Sequence, residues 1–303
     1  MTARTDMPLG QEAIAAKGWL GAHKYLLLRR ASQLFFLVLF LLGPWFGIWI
    51  VQGTLAGSLT LGVLPLTDPF VFLQSVIAGH WPELTAAIGA AIVLLAYALI
   101  GGRVYCSWVC PINPVTDGAH WLHRNLGLQK GWQPKRGTRL WIMVTVLIVP
   151  GLTGVIAWEL VNPITMLHRG LIFGMGFVWA MIAAIFLFDL FVSRHGWCGH
   201  VCPVGTFYGL IGPKALLRVS AVNRTACDDC MDCYAVCPEN HVISPALKGN
   251  DTPLILSPDC TNCGRCIDIC AEDVFKFTHR FDALTVAPPE PTAAPQPRAS
   301  RPF

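Results

Sequence analysis

Twelve cysteines stand in this 303-residue chain, and every one falls in a spaced motif. Cys227, Cys230, Cys233 and Cys237 read C-x2-C-x2-C-x3-C, followed by Pro238. Cys260, Cys263, Cys266 and Cys270 repeat the spacing, with Ala271 where the proline would be. Runs of this kind ligate [4Fe–4S] clusters, and where two occur together the fourth cysteine of each reaches the other cluster. The expected ligand sets are therefore Cys227, Cys230, Cys233 and Cys270 for one cluster, and Cys260, Cys263, Cys266 and Cys237 for the second. Structural zinc also uses paired C-x2-C motifs, but a doubled eight-cysteine run is far more restrictive than two isolated pairs. Three cysteines at two-residue gaps also crowd against disulfide geometry. The chemistry indicated is electron transfer.

The other four cysteines form a second repeat. Cys106 and Cys110 precede Pro111, and Cys198 and Cys202 precede Pro203, so both segments read C-x3-C-P, each with an aromatic residue (Tyr105, Trp197) just before it. Residues four apart share a helix face, so each segment offers two sulfurs in one direction if its helix continues. Upstream, Asp68-Pro69 and Asn162-Pro163 also match: Pro69 lies 37 residues before Cys106 and Pro163 lies 35 before Cys198. Two copies of one unit, related by an axis along a membrane normal, would bring the pairs together. Four thiolates suit a third [4Fe–4S] cluster or another metal. Redox-active dithiols, or thiols that dock a partner, are the alternatives. His120, His123, His195 and His200 sit beside these cysteines. No C-x-x-C-H motif for a c-type haem occurs, and a b-type haem on paired histidines stays open.

The elements that must position these motifs are apolar. Hydrophobic residues make up 54% of the chain and charged residues 13%, against about 25% charged in soluble domains. A bilayer-spanning helix needs about 20 apolar residues. Stretches 31–52, 84–101, 140–158 and 171–192 approach or meet that length, with Pro44 and Pro150 inside the first and third. The first reads as an uncleaved anchor, since it exceeds a signal-peptide core and no cleavage motif follows. Lys and Arg number five in residues 1–30, none in 53–83, six in 102–139 and four in 193–226. By the positive-inside rule both termini face the cytoplasm. The expected architecture is an α-helical membrane protein with four transmembrane helices as two repeated hairpins, plus a small α+β domain of the bacterial two-cluster ferredoxin type. Its parts are a cytoplasmic segment 1–30, a membrane domain 31–220, a two-cluster domain 221–286 and a disordered Pro/Ala-rich tail 287–303. From Cys227 to Asp282 there are ten acids against four bases, a solvated face or a surface for a basic partner. Nothing suggests nucleic-acid binding.

With these motifs in this order, the chain resembles the NapH-type ferredoxin-like membrane proteins of periplasmic nitrate reductase systems. The resemblance covers nearly all of it: the apolar stretches, the C-x3-C-P motifs at Cys106/Cys110 and Cys198/Cys202, and the two cysteine runs. It implies the membrane subunit of a quinol dehydrogenase in the bacterial inner membrane. Such a subunit draws on the membrane quinone pool and works with an extracytoplasmic polyferredoxin partner. Electrons then pass to the nitrate reductase electron-transfer chain. The same motifs occur in a broader group that includes methylamine-utilisation proteins and assembly factors, so a redox maturation factor that reduces a metal or thiol for another respiratory enzyme is the alternative.

Oxidising a quinol requires proton acceptors and an electron route. Candidates are Asp68, His80, Glu83, Glu159 and His168 on the outer side and Asp189 in the last apolar stretch, where an acid is a functional hypothesis by default. Asp-Pro and Asn-Pro are also ordinary turn starters.

Overall fold

A computed structural model describes residues 8–128, 132, 134–135, 137–249 and 252–282; the tail expected from residue 287 lies outside them. The chain divides into two compact units.

The cysteine-rich unit takes the chain up to Tyr25, Leu217–Leu256 and the residues from Gly264 on. Strands Leu217–Ser220 and Lys276–His279 pair antiparallel, Leu217 opposite His279 and Ser220 opposite Lys276. Short helices Asp232–Val236 and Arg265–Ile269 carry the third cysteine of each run. The N-terminal helix Gln11–Ala22 belongs to the same body. Lys17 pairs with Asp273 at 2.6 Å and donates to the Ile267 carbonyl at 3.1 Å. The Tyr25 amide donates to Asp268 at 3.0 Å, and its ring meets Phe277 edge-on. Gly264 is required here twice over: its φ is +74°, and a Cβ would stand 2.6 Å from the Tyr25 ring.

The helical unit comprises Leu26–Leu216 and Ser257–Cys263. Helix Lys24–Phe46 runs into an antiparallel meander of Val51–Thr54, Gly57–Thr60 and Leu64–Thr67. Two successions of elements then follow one plan. Asp68 caps helix Pro69–Ile77, Leu84–Ile100 follows, and the Cys106 segment comes next. Asn162 caps Pro163–Phe173, Gly176–Leu187 follows, and the Cys198 segment comes next. Each cap side chain accepts the amide two residues on, at 2.9 Å for Asp68 and 3.1 Å for Asn162, and each is followed by proline at the first helical position, where its missing N–H costs nothing. The core gathers around Phe70, Tyr105, Met143, Ile164, Ile185 and Tyr208.

Four transmembrane helices arranged as two hairpins are not what this chain forms. Among the described residues a single helical stretch, Gln11–Phe46, is long and apolar enough to cross a membrane, by length and composition. The other apolar helices stop short of the roughly 20 residues needed. Leu84–Ile100 has 17 and ends at Gly101, whose φ of 156° only glycine adopts freely. Thr138–Thr153 has 16, with Pro150 in its last turn and Gly154 left-handed at its end. Gly176–Leu187 has 12 and widens into a π-turn over Phe188–Val192. Apolar composition gave the length of the greasy stretch, whereas glycine, proline and the π-turn set where the helix stops. The first stretch was also drawn too long, since Val51 and Gln52 are strand residues. The helical unit still exposes large apolar side chains, among them Trp81, Trp141, Leu152 and Phe177.

Candidate functional site

Both cysteine runs share a backbone device. In the first, Asp229 (φ 61°) and Met231 (φ 68°) are left-handed; in the second, Asn262 (φ 48°) and Gly264 (φ 74°) occupy the same positions. Alternating right- and left-handed residues turn successive N–H groups into one concavity, the nest that suits anionic sulfur clusters. The residue two past the first cysteine also turns back on it: the Cys227 thiol reaches Asp229 at 3.8 Å and the Cys260 thiol reaches Asn262 at 3.4 Å.

In the cysteine-rich unit this geometry lines one pocket with Cys227, Cys230, Cys233 and Cys270, and Leu247 and Phe275 share its wall. The donor set, four thiols around one cavity with N–H groups from a nest, fits a [4Fe–4S] cluster. Burial raises the Cys227 thiol and pushes Cys230 and Cys233 up to about 12. A bound metal reverses that preference by taking thiolates directly. Of the expected second set, Cys260 and Cys263 belong to the helical unit and Cys237 and Cys266 to the cysteine-rich unit.

In the helical unit the two C-x3-C segments are built alike. Cys106 lies in the short helix Val104–Trp108, and the Cys110 amide donates to the Tyr105 carbonyl at 3.0 Å. Cys198 lies in the π-turn Trp197–Val201, and the Cys202 amide donates to the Trp197 carbonyl at 2.9 Å. Both turns thus close by an i to i−5 bond, the wide turn that recurs at functional sites. The fold brings all four thiols within one another's electrostatic reach. Burial pushes Cys202 up to about 11 and Cys198 well above its ordinary value. It raises Cys106 too, against the Arg103 charge and hydrogen bond, which pull it down. Four mutually interacting thiols, Cys110 buried and Cys106, Cys198 and Cys202 half-buried, fit a metal or cluster better than four separate packing residues.

The supports of these turns are specific. Ser32 and Gln33 donate to the carbonyls of Trp108 (2.8 Å) and Ser107 (2.7 Å). Asp189 accepts the Trp197 amide at 2.8 Å, so this acid starts the Cys198 turn. Arg103 donates to the Cys198 carbonyl at 3.2 Å and Arg139 to the Gly199 carbonyl at 3.2 Å. Thr116 stands 3.7 Å from the Cys198 sulfur. His123 contacts the Leu190 carbonyl at 2.8 Å, and the His120 and His195 rings lie 4.3 Å apart, with Arg194 3.4 Å from His120.

Asp68 does more than cap a helix. The Tyr208 hydroxyl donates to it at 3.4 Å. The Tyr208 ring stacks on Tyr105 at 5.2 Å, and Tyr97 meets both rings edge-on at 5.1 and 5.8 Å. This triad runs from the carboxylate to the Cys106 segment. Burial raises Asp68 to about 6. The aromatic residue before Cys106 was visible in sequence; Tyr97 sits on the helix just before it, Leu84–Ile100, whereas Tyr208 comes from the remote helix Pro203–Ile211 and gave no local signal. Among the other acids, Glu159 is engaged by Asn162 at 3.3 Å and Arg169 at 3.8 Å. His168 is 2% exposed, and burial lowers its pKa against a backbone hydrogen bond at Phe40 that raises it. His80 contacts the Gly154 carbonyl at 2.9 Å, and Glu83 lies exposed at the start of Leu84–Ile100.

A family model described as "4Fe-4S binding domain" matches residues 83–129 and 174–220, one copy on each C-x3-C segment. A "4Fe-4S dicluster domain" model matches residues 220–271. The chain is 48% identical to "Ferredoxin-type protein NapH" of Haemophilus influenzae, over 90% of this chain and 96% of that one. It is 52% identical to "Methylamine utilization ferredoxin-type protein MauN" of Methylorubrum extorquens over the same shares. To the MauN protein of Paracoccus denitrificans it is 55% identical over 82% of this chain and 88% of that one. No solved structure matches it.

Proposed function

Because the chain belongs to the family of ferredoxin-type proteins represented by NapH and MauN, an iron–sulfur family of electron-transfer proteins, we propose that it is the membrane-attached electron-transfer subunit of a quinol dehydrogenase. The observation that carries this reading is the four-thiol site, joined through three tyrosine rings to a carboxylate of raised pKa.

Cys227, Cys230, Cys233 and Cys270 hold one cluster, Cys260, Cys263, Cys266 and Cys237 a second, and Cys106, Cys110, Cys198 and Cys202 a third. A [4Fe–4S] group, when bound, accepts and passes one electron at a time. The protein's own residues handle the protons. A quinol gives up two protons with its two electrons: Asp68 takes one while Tyr208 holds its carboxylate in place, and neutral His168 takes the other. Electrons go on to a polyferredoxin partner outside the cytoplasm and to a periplasmic nitrate reductase. The Gln11–Phe46 stretch and the exposed apolar side chains attach the unit to the bacterial cytoplasmic membrane. The helix Gln11–Ala22 and the strand Lys276–His279 share one compact body, and the Lys/Arg excess near the N-terminus puts that body in the cytoplasm.

A second reading has its own support. The two MauN relatives are more similar to this chain, at 52% and 55%, than the Haemophilus NapH protein is at 48%. The same site then serves a redox maturation step in amine oxidation. The separating experiment adds a quinol to the purified chain in lipid nanodiscs under anaerobic conditions and follows cluster bleaching. Bleaching by quinol supports the dehydrogenase; bleaching by dithionite but by no quinol supports maturation.

A further inference from the structure

Only part of the second cysteine run packs in the cysteine-rich unit: residues Ser257–Cys263 belong to the helical one. There the loop bearing Cys260 and Cys263 is bound by the segment bearing Cys106. The Ser107 hydroxyl donates to the Thr261 carbonyl at 2.7 Å. The Trp108 indole donates to the Asn262 carbonyl at 3.0 Å. Arg103 donates to the Asp259 carbonyl at 2.8 Å, and the Asp259 carboxylate pairs with Arg103 at 3.9 Å and, more closely, with Arg139. Ser107 and Asn262 are 2% exposed and Arg103 3%, so these bonds are partly shielded from water. The matching loop of the first run faces outward instead, with Asp229 paired to Lys248 at 2.8 Å on the surface.

Ser107 is covalently next to Cys106, and Thr261 is next to Cys260. One short hydrogen bond therefore connects two cysteines that belong to different motifs. We propose that Ser107, Trp108 and Arg103 form the junction across which electrons pass between the groups held by the C-x3-C turns and by the Cys260–Cys263 loop. This rests on the assignment of a redox centre to each cysteine set. Each passage moves one electron; no bond is made or broken and no proton is transferred. The three are positioning residues, and they fix the separation of two thiol sets that the sequence places 154 residues apart.

The test uses the full chain with Ser107→Ala, Trp108→Phe and the conservative Ser107→Thr. In the loaded chain, hydrogen exchange through residues 257–263 should quicken by about fivefold in Ser107→Ala, as losing one shielded hydrogen bond dictates, and Ser107→Thr should restore it. In the loaded chain, stopped-flow reduction by dithionite should fill the exposed centre first and the buried one in a slower phase. In Ser107→Ala and Trp108→Phe that phase should slow by about tenfold, a barrier change of about 1.4 kcal/mol, with iron content unchanged. An unaltered slow phase over intact iron content, or unaltered exchange, would overturn the junction alone. Iron content that does not fall in Cys110→Ser would overturn the junction together with the assignment beneath it.

Discussion

The first cysteine run and the paired C-x3-C turns use the same ligand atom in opposite settings. Around Cys227, left-handed backbone makes a surface nest in a small unit, and acidic side chains ring the opening. Around Cys110, wide helical turns gather four thiols, Cys110 buried and the other three half-buried, among tyrosine and arginine side chains. A group at the surface can exchange electrons with a soluble partner. A group held by the C-x3-C turns meets the tyrosine and arginine side chains that line it. The difference teaches that one ligand atom is set by two backbone devices, a left-handed nest in one unit and a wide helical turn in the other, and each device can be broken by itself.

The largest effect is expected from Cys230→Ser. It should remove a cluster and unfold the small pocket, because ligation supplies folding energy that so small a unit lacks; iron analysis and thermal melting check it. Next comes the Asp259 ion cluster. Asp259→Ala leaves Arg103 and Arg139 buried without their carboxylate and should cost about 3–5 kcal/mol, read by denaturant unfolding. Gly102→Ala forces a Cβ to within 1.8 Å of the Tyr208 carbonyl, an overpacking that should cost about 3 kcal/mol and displace the tyrosine triad.

Asp68 gives a sharper test, because its two pH effects have opposite signs. Its carboxyl is raised to about 6 by burial, so the stability it lends is present at low pH and is lost as pH rises through about 6. Quinol oxidation needs the deprotonated form and should rise through the same range. Asp68→Asn should abolish both dependences and slow quinol-driven reduction by about 10²-fold or more, the usual scale for a general base. At the small end, Lys17→Ala breaks a pair whose Asp273 partner is 62% exposed and should cost under about 1 kcal/mol.

Sequence carried the local part of this molecule well. The cysteine spacings, the Asx-Pro caps at Asp68 and Asn162, and the duplicated succession of elements are set by neighbours within a few residues, and they can be read there. The helix ends were harder. Gly101 and Gly154 stop helices that apolar composition alone would extend, and the stretch from Gly176 ends at Val192 after its π-turn, so among the described residues three of the four expected spans fall short of bilayer length. The meander from Val51 to Thr67 was missed because its strands are four residues each, too short for alternation to register. What joins Tyr97 and Tyr105 to Tyr208, or Ser107 to Thr261, is tertiary contact across about a hundred residues or more, and no spacing rule reaches that far. Asp189 illustrates the converse: an acid in an apolar stretch read as functional, and it holds the amide that begins the Cys198 turn.

The most direct measurement is iron and acid-labile sulfide in the anaerobically purified full chain and in Cys110→Ser. If the C-x3-C thiols hold a centre of their own beside the two ferredoxin-type clusters, the chain should carry about twelve iron atoms and the variant about eight, with the variant's remaining clusters spectroscopically intact. About eight iron atoms in both proteins, or zinc in place of iron, would contradict the account.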